Sequence, residues 1–594
     1  MDNRIRKTQL ITTYGVGQIV PFPNDISIIV AGLEAWPNNM YKNIPQKMII
    51  EEERLTKRLG VKYLFGPQKN TEGFVFKVPT LNFPRWRFCS QCHRMEYVSQ
   101  FRPGTITCSE PDCNRRKSLV PERFVVICSN GHIDDFPFMR WVHQDPNFEE
   151  DNRDHILHRE VKGTTTNLGN IRYVCSCGKS RTLSGAYNSK MLQDVYGNCS
   201  GSKPWTDSNE KCVNGQIQVT QRGSSNVWFP DVVSSISLPS SLSELQLKTR
   251  KKANEILGLL SGQSTDDYVL EMLISSAVAK HGFEKEELWA EIRRLRKGDE
   301  DEFREISELD YRKEEFKVLQ RSIGTFDSDF FSIKQNISEY PSVFQKYFSG
   351  VTLVNSLRET RALVGFTRLN PPIQGKMSDR IKTMISGSSI DWVPAVETYG
   401  EGIFIEFDIA FINEWARRPQ VISRVKKMTE NYNQSSFNKF NQSSMLNPAY
   451  ILIHTFAHIM ITELSIKSGY GSSSIRERIY ASLENGDKNM FGVLLYTASG
   501  DSEGSLGGLV KIGNHGILDK HVVNAIHKSE WCSSDPICIE SKGQGPDSCN
   551  LAACHNCALI SETCCENGNR LLDRALLIGT LEDPDIGFFA ELKG

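Results

Sequence analysis

Residues Arg85–Cys128 read RWRFCSQCHRMEYVSQFRPGTITCSEPDCNRRKSLVPERFVVIC, and the rest of the chain is read outward from them. Cys89 and Cys92 form a CxxC knuckle, and a second pair, Cys108 and Cys113, returns after fifteen intervening residues. A CxxC turn lets two thiolates converge on one side of a tight bend, and a second pair completes the tetrahedral four-sulfur shell that zinc prefers. Buried, unligated cysteines fit poorly with four of them in so short and polar a window. The loop also carries Arg85, Arg87, Arg94, Arg102, Arg115, Arg116 and Lys117, with Trp86, Phe88 and Phe101 interleaved. Such side chains on a zinc-stiffened loop suit phosphate contact and base stacking. A solvated knuckle with one aromatic side buried accounts for them equally well.

The chain has 594 residues, more than one hydrophobic core usually supports. About three or four domains are expected. With 39% hydrophobic and 24% charged residues the composition is that of an ordinary globular protein. Lys plus Arg number 70 against 71 Asp plus Glu, so any polyanion binding must come from local patches. The 16 cysteines stand at knuckle spacings, which favours metal sites in a reducing compartment over a disulfide framework. The first residues, MDNRIRKTQLITTYGVG, show no apolar signal core, and no uninterrupted apolar run approaches about 18 residues. The expectation is a cytoplasmic protein with no membrane span.

Residues 1–84 alternate short apolar runs with turn residues and form a mixed, β-rich region, with Ile26–Val30 a strand and 51–59 a short helix. After the first knuckle, Phe124–Ile127 reads as a strand, and Cys128, His132, Asp134, Asp135 and His143 crowd the turn that follows. A hydrolytic metal site is one reading. The favoured one is local: Asn130-Gly131 turns the chain, Asp134 caps the next helix, and Cys128 and His132 pack nearby, with a metal role for that pair left open. Cys175, Cys177, Cys199 and Cys212 form a second four-cysteine ribbon, so 85–235 is a zinc-knuckle region with two four-cysteine sites. Arg222 follows on a polar loop.

Residues 236–345 shift to helix formers and mixed charge, where Arg293 and Arg294 are either phosphate contacts or part of a solvated face. In 346–594, His454 and His458 stand at i and i+4 with Glu463 nearby, as zinc-hydrolase ligands do. Thr455 occupies the place where HExxH needs its general base, so the two histidines are read as packed and hydrogen-bonded inside a helix. Asp501 and Glu503 sit in a glycine-rich loop of undecided role. No GxxxxGK[ST] stretch exists, so the chain is no P-loop motor. At the C-terminal end, Cys538, Cys554, Cys557 and Cys565 are the favoured third zinc set, with Cys532 the nearest substitute and the choice between Cys564 and Cys565 open.

The phrases QLITTYGVGQIV, CSNGHIDDFPFMRWVH, RETRALVGFTRLNPP, WVPAVETYGEGIFIEF, IHTFAHIMITELSIKSGYGSSSIRERIY, YTASGDSEGSLGGLV and WCSSDPICIES with LAACHNCALISETCCE occur in order along nearly the whole chain. In these it resembles the DrmB family, helicase-partner subunits of the DISARM anti-phage defence system. Its C-terminal part is similar to the zinc-binding domain fused to some superfamily-2 helicases. The resemblance implies association with a DrmA-like helicase, which supplies the ATP site missing here, and joint engagement of foreign DNA.

These readings combine into a multidomain α+β protein. It has two zinc modules in its N-terminal half, a charged helical middle and a C-terminal mixed α/β zinc-binding domain, with about three structural Zn2+ sites. Expected DNA contacts are to the phosphate backbone, through Arg85, Arg87, Arg115, Arg116, Lys117, Arg222, Arg293 and Arg294. The rival readings are a metal-dependent nuclease or hydrolase built on Asp134, Asp135, His132 and His143, or on His454, His458 and Glu463, and a scaffold that touches only protein.

Overall fold

The computed structural model describes residues 5–36, 48–66, 77–113, 118–161, 168–239, 249, 252–253, 256–257, 267–281, 284–297, 308–327, 329–372, 384–387, 390–435, 446–471, 473–482, 489–497 and 507–592. Arg115, Arg116, Lys117, Asp501 and Glu503 lie outside them, as does the side chain of Arg294.

The chain divides into two compact units. The first takes Met1–Glu52, Val61–Ser235 and Glu359–Thr398; the second takes Glu53–Gly60, Ile236–Arg358 and Tyr399–Gly594. Most of 1–84 therefore shares a unit with 85–235, and 359–398 joins them rather than the C-terminal part. Hydrogen bonds that no local pattern announces link these segments. Trp228 Nε1 donates to Val16 O at 3.0 Å. Arg368, which is 1% exposed, donates to three backbone carbonyls, those of Gly17, Gly131 and Val227. Among the described residues no carboxylate pairs with that guanidinium, and burial lowers its pKa to about 9.

The first unit is assembled largely from three-stranded antiparallel sheets. In one, Phe124–Cys128 lies between Ile133–Asp135 and Ile217–Gln221. In a second, Trp86–Cys89 lies between Met95–Tyr97 and Leu119–Pro121. In a third, Ile171–Cys175 lies between Leu157–Val161 and Ser180–Thr182. Alternation sends Phe124 and Val126 to one face, into a core with Trp86, Phe136, Phe138, Trp141 and Tyr173. All five residues of Phe124–Cys128 are buried, as in a strand covered on both faces. Asp134 lies in a strand and accepts from Tyr196 and Ser200, so it does not cap the following helix.

The second unit is built on long strands. Met490–Thr497 pairs antiparallel with Ile475–Ser482 on one side and with Gly402–Glu406 on the other. Ile403, Ile405, Val493, Leu495, Ile475 and Ile479 face one core, which holds helix Pro448–Ser468. Phe404, Leu494, Tyr496 and Tyr480 face the other, with Phe316 and Leu319 of helix Glu308–Leu319. On that second face Arg478 makes two 2.6 Å hydrogen bonds to Glu315, both buried. Two further helices, Asp267–His281 and Lys285–Lys297, close a small core of Leu270, Ile274, Leu288 and Ile292.

Helix Pro448–Ser468 starts cleanly because Asn447 accepts from Tyr450 N at 2.8 Å and Pro448 needs no N–H partner. Gly469 ends it in the left-handed conformation, φ 75°. Among the described residues this helix is the one long and apolar enough to cross a membrane; it is apolar all round because it is the core of the unit, with 78% of its most apolar window buried.

Candidate metal centres

Five groups of four ligand-type side chains converge among the described residues, each with its ligand atoms within 4.8 Å of one another. All 16 cysteines are free thiols. Around a tetrahedral zinc with bonds of about 2.3 Å, sulfurs stand about 3.8 Å apart, which gives a direct test of fit.

The first group is Cys89, Cys92, Cys108 and Cys113. Strand Trp86–Cys89 delivers the first ligand, and the chain then folds back so that His93 N meets Cys89 O at 3.0 Å, with His93 at φ 61°. Cys89 and Cys113 Sγ are 3.8 Å apart, and Cys92 and Cys108 Sγ 3.6 Å, so the set fits zinc. Burial raises Cys92 and Cys108 and works against ionising Cys89 too, yet backbone N–H groups of Cys92 and Gln91 bring Cys89 to about 7. A metal-binding thiol needs that bias toward thiolate.

The expected quartet of Cys175, Cys177, Cys199 and Cys212 is two half-sites, not one. Register explains the split. Ile217 pairs with Cys128, so the segment before it brings Cys212 to the Cys128 turn, and the two Sγ atoms are 3.7 Å apart. His132 Nδ1 lies 3.5 Å from Cys199 Sγ, completing the group Cys128, His132, Cys199, Cys212. His132 Nε2 donates to Glu210 at 2.7 Å, which leaves Nδ1 as the free lone pair and orients the ring as carboxylates do behind metal-bound histidines. Gly215 is needed here: a Cβ would stand 2.4 Å from Cys128 Sγ and 2.5 Å from Cys212 Sγ. The contact between the Cys128 and Cys199 thiols lowers Cys128 below the usual thiol value and raises Cys199 by the same interaction.

Cys175 and Cys177 instead belong with His143 and His155. Leu157 pairs with Cys175, so His155, just before that strand, sits beside the CxC turn, with Nδ1 3.2 Å from Cys175 Sγ. Helix Phe138–His143 ends in His143, whose Nδ1 donates to Met139 O at 2.8 Å and whose Nε2 lies 3.4 Å from Cys177 Sγ. Two thiolates and two imidazoles are a donor set that fits zinc.

At the C-terminal end, Cys532 takes the position expected for Cys565. Sγ separations are 3.4 Å for Cys532 and Cys554, 3.8 Å for Cys538 and Cys557, and 3.7 Å for Cys554 and Cys557. Asp535 shapes this turn by accepting from Cys532 N at 2.8 Å while Arg574 grips its carboxylate at 2.6 and 2.8 Å. Cys565 joins His454, His458 and Glu477 in a fifth group. His454 Nε2 is 3.2 Å from Cys565 Sγ and 3.1 Å from Glu477 Oε1. Burial raises Glu477, but His454 and His458 hold it well below the usual carboxylate range. Glu463 turns away to His521 at 3.0 Å and Lys528 at 2.5 Å, so it is not the third member of a hydrolase set.

Reading the sequence leaves Cys128, His132 and Cys532 open as ligands, offers His143 only to a hydrolytic site, and misses His155 and Glu477. CSNGH beside a strand is a usable signal for the first two, whereas His155 and Glu477 carry none locally. The expected phosphate contacts fare unevenly. Arg85 is taken by Asp135 at 2.9 Å, whose carboxylate also accepts from Arg85 N and Trp86 N. Arg87 is 4% exposed, donates to Ser27 O, and is lowered to about 10 by burial and by Arg222 beside it. Arg222 is half-buried, and Arg293 is exposed beside Trp289.

Residues 6–229 match the family model described as Domain of unknown function (DUF8724), and residues 456–558 match the MrfA Zn-binding domain. The second segment contains the complete Cys532, Cys538, Cys554 and Cys557 group. A Bacillus paralicheniformis protein described as DISARM protein DrmB is 31% identical over 586 residues, covering 95% of this chain and 99% of that protein.

Proposed function

From the premise that this chain belongs to the DrmB family of DISARM proteins, we propose that it is a non-motor subunit of a cytoplasmic anti-phage complex, docking on a superfamily-2 helicase and helping it engage foreign DNA. The end-to-end likeness to the DISARM protein DrmB carries this reading. The four cysteine-rich groups (the three in the first unit, and Cys532 with Cys538, Cys554 and Cys557) hold structural zinc in it. Each offers four protein ligands, and a closed shell leaves no position for a water or a substrate.

The nuclease alternative loses its parts to other tasks. Asp135 is bound by Arg85, His132 faces Cys199, and His143 faces Cys177. DNA contact falls to the exposed Arg293 and to the run Arg115, Arg116 and Lys117, through phosphates and largely independent of sequence.

The test is DNA binding and DNA-stimulated ATPase of the partner helicase, with and without this chain, across a salt series. The expected result is enhancement that weakens as salt rises, with neutralisation of Arg115, Arg116 and Lys117 reducing the salt slope by about 1 to 3. Association of the two proteins with no effect on either quantity would favour the scaffold.

A further inference from the structure

The fifth group lies where solvent does not reach. His454 and His458 are 0% exposed, Glu477 3% and Cys565 7%. Helical spacing puts the two histidines one turn apart on one face. Strand alternation turns Glu477 toward them while Arg478 goes to the opposite face of the sheet. Backbone N–H groups of Asn567 and Asn569 point at Cys565 Sγ from 3.3 and 3.2 Å.

Hydrogen bonding alone leaves this cluster incomplete. His458 Nδ1 donates to Ala558 O at 2.7 Å, so in the neutral ring Nε2 carries the lone pair. It faces Glu477 Oε2 at 3.6 Å, too far for a hydrogen bond, and both atoms are buried without a hydrogen-bond partner among the described residues. Two facing lone pairs in the core are costly unless a proton or a metal ion stands between them, and 3.6 Å is too long for the shared proton of a hydrogen bond.

We infer that His454, His458, Glu477 and Cys565 hold a divalent ion of the zinc class. Bonds of about 2.0–2.1 Å to nitrogen and oxygen and about 2.3 Å to sulfur give tetrahedral edges of about 3.3–3.6 Å. Here His454 Nε2 stands 3.1 Å from Glu477 Oε1 and 3.2 Å from Cys565 Sγ, and His458 Nε2 stands 3.6 Å from Glu477 Oε2. A thiolate and two imidazoles select a borderline transition metal over magnesium or calcium. One thiolate and one carboxylate cancel a divalent charge, so the occupied centre is neutral, as suits a site buried in a core. It is a second metal site in this unit, built partly from His454 and Cys565, which lie outside the segment 456–558 that matches the zinc-binding domain. Full burial makes it structural: it ties the central helix to the sheet and to the segment returning from Cys557.

Diffraction from the wild-type full-length chain above and below the zinc absorption edge tests this directly. The expected result is an anomalous peak within bonding distance of all four side chains. Peaks at the cysteine-rich centres with none here would overturn it, and a peak at the iron edge instead would overturn the choice of zinc. Cys565→Ser should also lose one equivalent of zinc by elemental analysis while Cys538→Ser loses a different one; unchanged content in Cys565→Ser counts against the site. If that variant fails to fold, the wild-type diffraction still decides, and neither readout depends on whether the helicase responds.

Discussion

Cys89–Cys113 and Cys128–Cys212 are two solutions to the same problem within one unit. The first centre draws all four ligands from one short run, with its longest internal loop between Cys92 and Cys108. The second spans His132 to Cys199, and that loop contains the whole third centre, His143 to Cys177. The first is a self-contained knuckle; the other two are nested, the inner one stiffening the chain that the outer one closes. A local site can be lost locally, whereas an outer clasp holds everything it encloses. The outer loop is roughly four times longer, and closing it alone costs about 1.2 kcal/mol more in chain entropy.

The largest expected effect comes from Cys199→Ser. Loss of the outer clasp should destabilise the first unit by on the order of 5 kcal/mol, comparable with the whole stability of many domains. Hydrogen exchange should then show amides opening from Phe124 to Gln221, whereas Cys92→Ser should open only the sheet of Trp86–Cys89 and its neighbours. Equal, confined opening in both variants would break the comparison.

A smaller effect concerns the frame of the inner centre. Glu150 accepts from Met139 N and Arg140 N at 3.1 Å each, at the helix that carries His143, and burial pushes its pKa up to about 7. A carboxyl raised above its unfolded value of about 4.5 contributes stability that is complete below that value and is lost as pH rises through about 7. The frame around the inner centre should therefore lose stability between about pH 4.5 and 7, by at most about 3 kcal/mol and against the gain in zinc affinity as the ligands deprotonate, and Glu150→Gln should flatten that loss. Chelator extraction rates across this range are the measurement, with the first centre as the internal control.

The smallest effect sharpens the outer site alone. Glu210→Gln removes the carboxylate behind His132 and should weaken metal binding there about 10- to 100-fold, as read by chelator competition. The first centre should not respond.

The same comparison explains what the sequence reveals. Cys89, Cys92, Cys108 and Cys113 are legible because spacing and site coincide. The nested pair is not, since pairing by proximity joins Cys175 and Cys177 to Cys199 and Cys212, whereas strand register sends them apart. The strands expected at Phe124–Ile127 and Ile26–Val30 and the mixed α and β class follow from compact apolar, β-branched runs and from propensity. Glu477 has no motif at all; it becomes a ligand candidate only once strand alternation and the helix opposite are known. Arg87 shows the converse error, a basic residue beside aromatics that reads as surface and is buried against the Ser27 carbonyl and the Asn82 side chain.

Arg368 has a consequence in time. The carbonyls of Gly17, Gly131 and Val227 are made early, but the guanidinium that joins them is added only after more than a hundred residues of the second unit, Ile236–Arg358. At synthesis rates of about 5–20 residues per second the nascent first unit waits on the order of ten seconds for its last segment. All the ligands of its three cysteine-rich centres precede Ile236, so zinc arriving during that interval can hold the half-made unit in order until the ribosome delivers the residue that finishes it.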